Sequence, residues 1–484
     1  MRGRAGLNLE YLKHYLEEAY LPGARWWPWK GLQKRVEVVD WDAAGDIVLL
    51  ILRAEGLLFH LPLIKVKEVP RDFERGFCIE GECYVEGEYS KYYFAALRNL
   101  GKARVEVVGD LGYFEVEDAQ PLTLESTNAV VEYKTNRGSL VLKSYRLIPE
   151  VDLEVRVLRR LASKNYEHMP RVYAFIHYSS YVTGILMSRV KGEQDGGAPF
   201  YESLCKYLSG DTRAERIGLA SKLGVIIGKM HVALNSEPDG FFGVEPVTSS
   251  DIDSWASRIE RMFRNALRRL DSAIDAALGK DRAELEYWRD FAEKKGSSIV
   301  QDATSQLEFS KELYKGRIHQ DLHLAQMIYT GDGIVDFVVT DFEGEPGRTL
   351  QERLLKEPLI RDLATMIRSF HYLSHAAIMN TKHVERHKAS ELMLKGDPSL
   401  AWRARHVLAM VYSYLARMLG TGLLGKDEYR VASSVWKYLY PWIAERAVYE
   451  FYYEAHYRPP WVSIPLVGLA EAPVYKSFER LLKH

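Results

Sequence analysis

The segment of residues 318–346 holds the side chains best suited to chemistry. It reads IHQDLHLAQMIYTGDGIVDFVVTDFEGEP, with Asp321, then Gln326 five residues later, and Asp341 at the end of the apolar run FVVTD. Phosphoryl transfer needs a carboxylate that deprotonates the attacking hydroxyl, and oxygen ligands that hold magnesium against the phosphates. Each residue alone could cap a turn or lie exposed. The ordered set is typical of kinases, with DFE here in place of DFG.

A second pair of residues lies upstream, in a strand-rich part of the chain. Lys143 ends the predicted strand SLVLK, and Glu154 lies on the predicted helix that follows. A strand lysine paired with a helix glutamate is how kinases hold the α- and β-phosphates of ATP. Lysines at strand ends are also common on protein surfaces, so this prediction depends on the position of Lys143 ahead of the catalytic segment.

Further donors to the phosphates must come from another loop, because the chain lacks the GxxxxGK[ST] motif of P-loop enzymes. The turn LESTNAVV, at 124–131 between two predicted strands, offers Ser126, Thr127 and Asn128. Their hydroxyl, amide and backbone groups could bind phosphate. The composition favours an ordinary polar hairpin turn equally, so both interpretations stay open.

The elements that must position these residues fall into three parts. Residues 1–104 are typical of a helix followed by alternating strands, 105–190 of a small antiparallel sheet with one helix, and 191–484 of a mainly helical domain. We therefore predict an α+β, bilobal kinase-like fold. It has an N-terminal β-rich cap subdomain (1–104), a kinase-like N-lobe (105–190) and a helical C-lobe (191–484) that carries the catalytic loop and the acceptor site.

The predicted elements follow from hydrophobic periodicity. Strands are predicted at VEVVDWD, DIVLLILR, LLFHLPLIKVKEV, ARVEVVGDLGYFEVE, NAVVEYKTN, GSLVLKSYRL and, as a pair, in RVYAFIHYSSYVTGILMSRVKG. Helices are predicted at YSKYYFAALRNLG, at VDLEVRVLRRLASKN and at 215–235, 251–297, 358–378, 399–419 and 428–456. Within the helical part, IVDFVVTDFEG is the one clear β segment.

Composition argues against several other classes of protein. The 484 residues include 65 basic and 66 acidic ones, for a formal net charge of −1, so no general basic field exists to hold nucleic acid or an anionic membrane. The start of the chain lacks the apolar region of a signal peptide, and IVLLIL at 47–52 is too short to cross a bilayer. We expect a cytoplasmic monomer that acts on a small molecule.

The three cysteines are too few for a disulfide scaffold or a cysteine-rich zinc site. Cys78 and Cys83 flank IEGE, which predicts a tight hairpin with Glu80 and Gly81 at its turn and the two sulfurs opposite each other. We expect reduced thiols in a mesophilic cytosol, and a disulfide if the source is a hyperthermophile.

The chain resembles the maltokinases of the aminoglycoside-phosphotransferase-like superfamily. Where that family shows segments like HGDLHLGQ, DFEGEP and PLRDVAGMLRSF, this chain has IHQDLHLAQ, TDFEGEP and PLIRDLATMIRSFHYL. The likeness extends to LPGARWWPWKG, VLKSYRLIPEVDLEV and ERAVYEFYYEAHYRPPWVSIPLVGL. It departs at Gln320 and Ala325, where the family often has glycine, at Pro28 and Trp29, where it has a glycine pair, and at Tyr457, where it often has asparagine.

The resemblance implies transfer of the ATP γ-phosphate to the anomeric hydroxyl of maltose, giving maltose 1-phosphate. In the family this reaction serves the conversion of trehalose to glycogen. The resemblance implies that Asp321 is the catalytic base and that Gln326 and Asp341 bind Mg²⁺. It also implies that Lys143, supported by Glu154, contacts phosphate, and that the strand end from Met187 to Val190 contacts adenine.

The resemblance further implies an acceptor site near the C-terminus, made of Tyr449, Glu450, Tyr453, Glu454, Arg458 and Trp461. These residue types suit a sugar, because its hydroxyls need carboxylates and guanidinium groups and its C–H surfaces need aromatic faces. A helix packed through aromatics with a solvated charged face is the alternative. Glucosamine or glucose is a second possible acceptor, and a non-catalytic kinase-like binding module is a remote alternative.

Overall fold

The structure, a computed structural model, describes residues 8–69, 75–123, 126–192, 194–331, 333 and 336–483. Residues 1–7, 124–125 and 334–335, which take part in predictions made above, lie outside this range. The chain divides into two compact units. The sheet unit comprises Met1–Leu158 and Pro170–Val190, and the helical unit comprises Arg159–Met169 and Lys191–His484. The division into 1–104, 105–190 and 191–484 stays a prediction.

The sheet unit begins with short helical segments and a five-stranded antiparallel sheet. The helical segments are Leu9–Tyr15, Leu16–Tyr20 and Leu21–Gly23. The strands, in the order β1-β2-β3-β5-β4, are β1 Glu37–Ala44, β2 Ile47–Ala54, β3 Leu57–Val66, β4 Gly76–Ile79 and β5 Glu82–Glu86. The run IVLLIL lies in β2, and its alternate residues enter two different hydrophobic cores. A strand buried on both faces explains why this run is apolar throughout.

The hairpin of β4 and β5 places Cys78 directly opposite Cys83, as predicted. Glu80 and Gly81 form its turn with φ angles of 51° and 81°, as a two-residue hairpin turn requires. The two sulfurs are joined in a disulfide. Of the two alternatives left open by the sequence, reduced thiols or a disulfide, the structure has the disulfide.

The second sheet of the sheet unit has six antiparallel strands in the order β6-β10-β11-β9-β8-β7. They are β6 Ala103–Val107, β7 Val116–Thr123, β8 Ala129–Thr135, β9 Gly138–Ser144, β10 Val172–Tyr178 and β11 Tyr181–Ser188. The single strand predicted at ARVEVVGDLGYFEVE is wrong, because this segment forms β6 and the start of β7 at opposite edges of the sheet. Gly109 and Gly112 lie in the interruption, the latter with a φ of 57°.

Three shorter elements remain in the sheet unit, and the last of them crosses the boundary to the helical unit. The 3-10 turn Gly87–Tyr89 and the helix Tyr93–Leu97 lie between the two sheets in the chain. The helix Leu153–Ser163 follows β9, and the boundary between the units falls within it. Both helices were predicted.

The helical unit is built mainly from helices, and every predicted helical range overlaps at least one of them. Those that overlap the predicted ranges are Ile217–Asn235, Ser249–Ala276, Gly279–Phe291, Ala292–Gly296, Ser297–Gln306, Ile360–Lys382, Ser399–Met418, Glu428–Ser433 and Val435–Tyr457. Those that were not predicted are Ala198–Leu208, Leu350–Leu354, Arg386–Leu394, Ser463–Glu471 and the 3-10 helix Ala472–Lys483. The helix Ile360–Lys382 is largely buried and packs against Val435–Tyr457 and Ala198–Leu208. These three helices form the frame of the cavity described below.

Short strands and 3-10 turns connect the helices. Gln194–Asp195, Met327–Tyr329 and Phe337–Val339 form one small sheet, and Glu245–Pro246, Tyr314–Gly316 and Glu357–Pro358 form another. The 3-10 turns are Thr212–Ala214, Gly240–Phe242, Leu307–Glu312, Leu324–Gln326 and Pro459–Trp461. The strand Phe337–Val339 was predicted because it lies in a longer apolar run, IVDFVV. The other five were not predicted, because strands of two or three residues leave no periodic pattern of their own in the sequence.

One stretch among the described residues, Thr212–Asn235, has the length and composition of a membrane span, with a mean hydropathy of 1.4. Within the protein, 61% of this stretch is buried. Its helix packs against Ser399–Met418. A buried core helix has the same properties, so this stretch is weak evidence for a membrane span.

Candidate active site

Asp321 lies between the strand Tyr314–Gly316 and the 3-10 turn Leu324–Gln326, in the wall of a cavity of about 730 Å³ in the helical unit. Its Oδ1 accepts a hydrogen bond of 2.8 Å from Nη2 of Arg446, and its Oδ2 lies 3.7 Å from Nε2 of His323. Burial raises the pKa of Asp321, but Arg446 and His323 together hold that pKa well below its ordinary value. The carboxylate is therefore ionised at neutral pH and can accept a proton from a hydroxyl in the cavity.

The backbone before Asp321 is fixed by a buried carboxylate from another element. Asp362, in the first turn of Ile360–Lys382, accepts hydrogen bonds from the N–H groups of His319, at 2.8 Å, and Gln320, at 2.9 Å. It also lies 3.0 Å from Nε2 of the buried His231. Asp362 itself is fully buried. The segment that carries Asp321 is therefore held rigidly against the central helix.

Gln320 has a φ of 73°, in the left-handed region. This conformation favours glycine, the residue that the maltokinases usually have here. The side chain of Gln320 donates from Nε2 to the carbonyl oxygen of Arg353 at 2.7 Å. The departure from the family pattern thus keeps the backbone conformation and adds a hydrogen bond.

Gln326 and Asp341 come together as the sequence predicts. Nε2 of Gln326 donates to Oδ2 of Asp341 at 3.1 Å. The carbonyl oxygen of Gln326 also accepts the N–H of Thr340 at 2.9 Å, so the turn Leu324–Gln326 is tied to the end of the strand Phe337–Val339. An amide oxygen and a carboxylate are ligands that Mg²⁺ takes, and rotation of the amide would turn its oxygen toward such an ion. The two side chains therefore fit a magnesium site.

Lys143 and Glu154 form the predicted pair within the sheet unit. Nζ of Lys143, near the end of β9, lies 2.9 Å from Oε2 of Glu154 on the helix Leu153–Ser163. The hydroxyl of Tyr145 donates to the same carboxylate oxygen at 2.6 Å. Both charged side chains are largely buried, so the lysine is held in place by the carboxylate.

The other predicted nucleotide residues also belong to the sheet unit. Ser126, Thr127 and Asn128 lie in the turn between β7 and β8, where Oδ1 of Asn128 accepts the N–H of Arg146 at 3.3 Å. The N–H of Asn128 donates to Oγ of Ser126 at 3.0 Å within the turn, while the contact with Arg146 extends the pairing of β8 with β9. Met187 lies in β11 opposite Val141 and Val172, and Val190 follows the end of that strand.

The six predicted acceptor residues line the same cavity as Asp321. They are Tyr449, Glu450, Tyr453, Glu454, Arg458 and Trp461. The first four lie on the helix Val435–Tyr457 at the spacing of one helical face. Arg458 ends this helix, and Trp461 lies in the 3-10 turn Pro459–Trp461. Because one helix supplies four of the six acceptor residues, the helical period alone brings those four together.

The carboxylates on this face are paired with cations. Oε2 of Glu450 accepts two hydrogen bonds from Arg368, at 2.7 and 2.9 Å. Glu454 accepts from Arg458 at 2.7 and 2.9 Å and from the hydroxyl of Tyr372 at 3.2 Å. Burial raises the pKa of Glu454 above its ordinary value, against the opposing effect of Arg458. Fixed hydrogen-bonding groups of both signs therefore face the cavity.

The cavity also has lining residues that were not predicted. They include Asp195, Tyr201, His323, Thr365, Ser369, Tyr372 and Arg446. Arg446 could have been found, because it lies one turn before Glu450 on the same helical face. Residues such as Asp195 and Ser369 come from elements distant in the chain, and no sequence pattern connects them with Asp321.

A buried ion-pair network lies behind Asp321. Nη2 of Arg361 lies 2.7 Å from Oε1 of Glu345, and its Nε lies 2.8 Å from Oε2 of Glu357. Arg348 pairs with Glu357 at 2.7 Å and with Glu445 at 2.9 Å. Burial raises the pKa of Glu357, but the surrounding arginines outweigh it and hold that pKa below its ordinary value. Nη1 of Arg361 also donates to the carbonyl oxygen of Gln320 at 3.3 Å, so the network reaches the catalytic segment.

The chain is similar to proteins that have been named and to structures that have been solved. Glucosamine kinase from Streptacidiphilus jiangxiensis is 22% identical over 319 residues, which are 64% of this chain and 63% of that relative. The match thus spans less than two thirds of the relative's length. A solved structure of a glucosamine kinase in complex with glucosamine, ADP and inorganic phosphate has a TM-score of 0.65 at 16% identity, covering 97% of this chain and 99% of that one. Crystal form A of glucosamine kinase has the same TM-score and coverage at 17% identity.

At these identities the likeness shows the fold, which is the predicted kinase-like fold with antiparallel sheets and a large helical part. The model of the phosphotransferase enzyme family (APH) matches residues 118–371, more than half of the chain. The matched range includes Lys143, Glu154, Asp321, Gln326 and Asp341. The chain therefore belongs to the phosphotransferase enzyme family.

Proposed function

We propose that this protein is an ATP-dependent sugar kinase. The observation that carries the proposal is that an ionised, buried carboxylate, Asp321, shares one cavity with six side chains of the types that bind sugars. Membership of the phosphotransferase family supports the reaction class. The solved glucosamine kinase that holds ADP supports ATP as the phosphate donor.

Asp321 acts as the base of the proposed reaction. An acceptor hydroxyl donates a hydrogen bond to its carboxylate, and the hydroxyl oxygen attacks the γ-phosphorus of ATP. An O–P bond forms, the P–O bond to ADP breaks, and the hydroxyl proton passes to Asp321. In a loose transition state the proton moves late, so a weak but well-oriented base suffices.

The remaining predicted residues bind the nucleotide. Gln326 and Asp341 hold Mg²⁺, which neutralises charge on the phosphates when bound. Lys143, fixed by Glu154, contacts the α- and β-phosphates, and the strand end from Met187 to Val190 contacts adenine. The turn with Ser126, Thr127 and Asn128 is the proposed source of further phosphate donors.

Maltose is our first candidate for the acceptor. The helix Val435–Tyr457 lines the cavity from Arg446 to Arg458 at its end. At the rise of an α-helix these two residues are about 18 Å apart along the helix axis. This is longer than one pyranose ring, and aromatic side chains, including Tyr453 and Trp461, lie at the end far from Arg446. A disaccharide with its anomeric hydroxyl at Asp321 suits this shape. Maltose 1-phosphate, the product, would serve the trehalose-to-glycogen conversion of the resembled family.

Glucosamine is the second candidate, and two observations favour it. The relatives described above are named glucosamine kinases. The carboxylates lining the cavity are Asp195, Asp321, Glu450 and Glu454, against the guanidinium groups of Arg446 and Arg458. A lining with this excess of acidic groups suits the ammonium group of an amino sugar.

A panel of sugars separates the candidates. Release of ADP from ATP and Mg²⁺ is measured with maltose, glucosamine and glucose, with a no-sugar reaction and Asp321→Asn as controls. Phosphorus NMR of the product identifies the phosphorylated position. A kcat/KM for maltose at least about tenfold above that for glucosamine supports the first candidate, a difference of about 1.4 kcal/mol in transition-state binding. No sugar-dependent ADP release would contradict the proposal and favour a non-catalytic binding module.

The near balance of 65 basic and 66 acidic residues supports one further part of the proposal, the absence of nucleic-acid and membrane partners. A cytoplasmic location is also part of the proposal. We also propose a monomer. Light scattering during gel filtration tests this, because it measures the mass of the eluting particle. A monomer has a mass of 55.6 kDa, and a dimer would have twice that mass.

A further inference from the structure

Arg446 contacts three carboxylates with its three guanidinium nitrogens. Nη2 donates to Oδ1 of Asp321 at 2.8 Å and Nη1 donates to Oε1 of Glu345 at 2.7 Å, while Nε lies 3.4 Å from Oε1 of Glu450. Its side chain is 7% exposed and faces the same cavity as Asp321. A planar guanidinium can make such divergent contacts at once, whereas a lysine ammonium is a single point charge.

The carboxylates that hold Arg446 are themselves fixed. Glu345 is fully buried and accepts a second hydrogen bond of 2.7 Å from Arg361. Glu450 accepts two hydrogen bonds from Arg368. Arg446 is therefore held from two sides before it meets Asp321, so its position does not depend on Asp321.

This arrangement divides the two oxygens of Asp321 between different tasks. Oδ1 is committed to Arg446, while Oδ2 lies on the side of His323, at 3.7 Å from its Nε2. We propose that Arg446 is a positioning residue that fixes the Asp321 carboxylate so that Oδ2 is presented to the acceptor hydroxyl. This inference rests on the proposed kinase function.

The charge of Arg446 has a second effect on the same carboxylate. Burial alone would raise the pKa of Asp321, and Arg446 is the largest influence in the opposite direction, followed by His323. The other groups to consider come from several elements. Tyr449 interacts with Asp321, Glu345 and Glu450 face Arg446, Arg361 backs the catalytic segment, and Asp195 and Glu454 line the rest of the cavity.

Arg446→Met and Arg446→Lys test the inference through kcat per folded molecule, measured beside KM for ATP, with the folded fraction taken from ADP binding. A carboxylate that is no longer fixed presents Oδ2 poorly to the acceptor hydroxyl, so kcat should fall while nucleotide affinity is kept. We expect kcat at the optimum to fall roughly 10–100-fold in Arg446→Met, by analogy with loss of a residue that orients a reacting group, while KM for ATP stays near the wild-type value. The kcat of Arg446→Lys should lie between those of the wild type and of Arg446→Met.

Arg348→Met is the matched control. Arg348 is a buried arginine of the same network that pairs with Glu345, Glu357 and Glu445. Its loss should lower the thermal unfolding midpoint but leave kcat per folded molecule near the wild-type value. An Arg446→Met enzyme whose kcat per folded molecule falls no further than that of Arg348→Met would overturn the inference, because a merely structural arginine would behave so.

Two further results keep the test decisive. If Arg446→Met does not fold, Arg446→Lys decides alone, and a wild-type kcat per folded molecule in that variant overturns the inference. If the wild-type protein itself releases no ADP with any sugar, the proposed function fails instead, and this outcome is distinguishable from failure of the role of Arg446.

Discussion

Lys143 in the strand β9 and Glu154 on the following helix form an ion pair with 2.9 Å between Nζ and Oε2. The glutamate also accepts a hydrogen bond from Tyr145, so its carboxylate is fixed from two directions. A lysine that must meet phosphate gains from such support, because its flexible side chain is ordered before the nucleotide arrives.

Lys143→Met should therefore weaken nucleotide use more than folding. We expect KM for ATP to rise roughly 10–100-fold, with a fall in kcat, because the lysine contacts the phosphates in the ground state and in the transition state. Initial rates at varied ATP concentration measure this. Lys134→Met on the neighbouring strand β8 is the control, since Lys134 is exposed and pairs only loosely with Asp118, at 3.7 Å. Equal effects of the two substitutions would contradict the role of Lys143.

Asp321→Asn should abolish most turnover while nucleotide binding persists. The amide keeps the shape of the side chain but cannot take the hydroxyl proton, so kcat should fall by about 10²–10⁴. Steady-state ADP release gives kcat, and quenching of tryptophan fluorescence or calorimetry gives the Kd for ADP. A variant with wild-type turnover would show that Asp321 is not the base.

Gln320 offers a test of backbone strain beside the base. Its φ of 73° disfavours a residue with a Cβ atom, but its side chain donates to the carbonyl of Arg353. Gln320→Ala loses that hydrogen bond and keeps the strain, whereas Gln320→Gly loses both. The glycine variant should therefore be more stable than the alanine variant, by about 1 kcal/mol. Chemical denaturation of the two variants side by side measures the difference, and the reverse order would argue against strain at this position.

Much of this arrangement was predictable because it is local. Lys143 and Glu154 lie eleven residues apart, and Gln326 and Asp341 are joined through adjacent strands. Four of the acceptor residues, Tyr449, Glu450, Tyr453 and Glu454, share one helical face, so a period of 3.6 residues brings them together. Their selection as acceptor residues came from the resemblance to the maltokinases, whereas residue type and spacing were enough for the other two pairs.

Other features required the three-dimensional structure. Asp362 holds the backbone at His319 and Gln320 from 42 residues away or more, and Arg446 reaches Asp321 across 125 residues. No periodicity connects such positions. The strand predicted at ARVEVVGDLGYFEVE was wrong for the same reason, since pairing partners distant in the chain decide that its two ends lie at opposite edges of the sheet.

Stability should fall as pH drops, and the buried His375 is one identifiable cause. Burial lowers its pKa from 6.5 to about 3, so the unfolded chain binds a proton there that the folded protein does not. Its contribution to stability is thus fully present above pH 6.5 and is lost progressively as pH falls from 6.5 toward 3. In that window, His375→Gln should reduce the slope of the free energy of unfolding against pH by up to about 1.4 kcal/mol per pH unit.

Thermal unfolding midpoints between pH 4 and 8 check this prediction. His456→Gln is the control, because His456 is exposed and its replacement should leave the wild-type slope unchanged. If the His375 variant follows the wild-type slope throughout, the acid sensitivity arises elsewhere.

Arg258 joins the network of Arg348, Arg361, Glu345, Glu357 and Glu445, at 2.7 Å from Glu357 and 3.4 Å from Glu445. This network determines how the surrounding part of the chain tolerates substitution. Removing one member leaves an uncompensated charge inside the protein, at a cost of about 3–5 kcal/mol, although replacing a whole buried set by apolar residues can be nearly neutral. The effects of single substitutions here are therefore not additive. Single substitutions at these positions should lower stability strongly, whereas libraries that vary two or three of them together should contain more stable replacements.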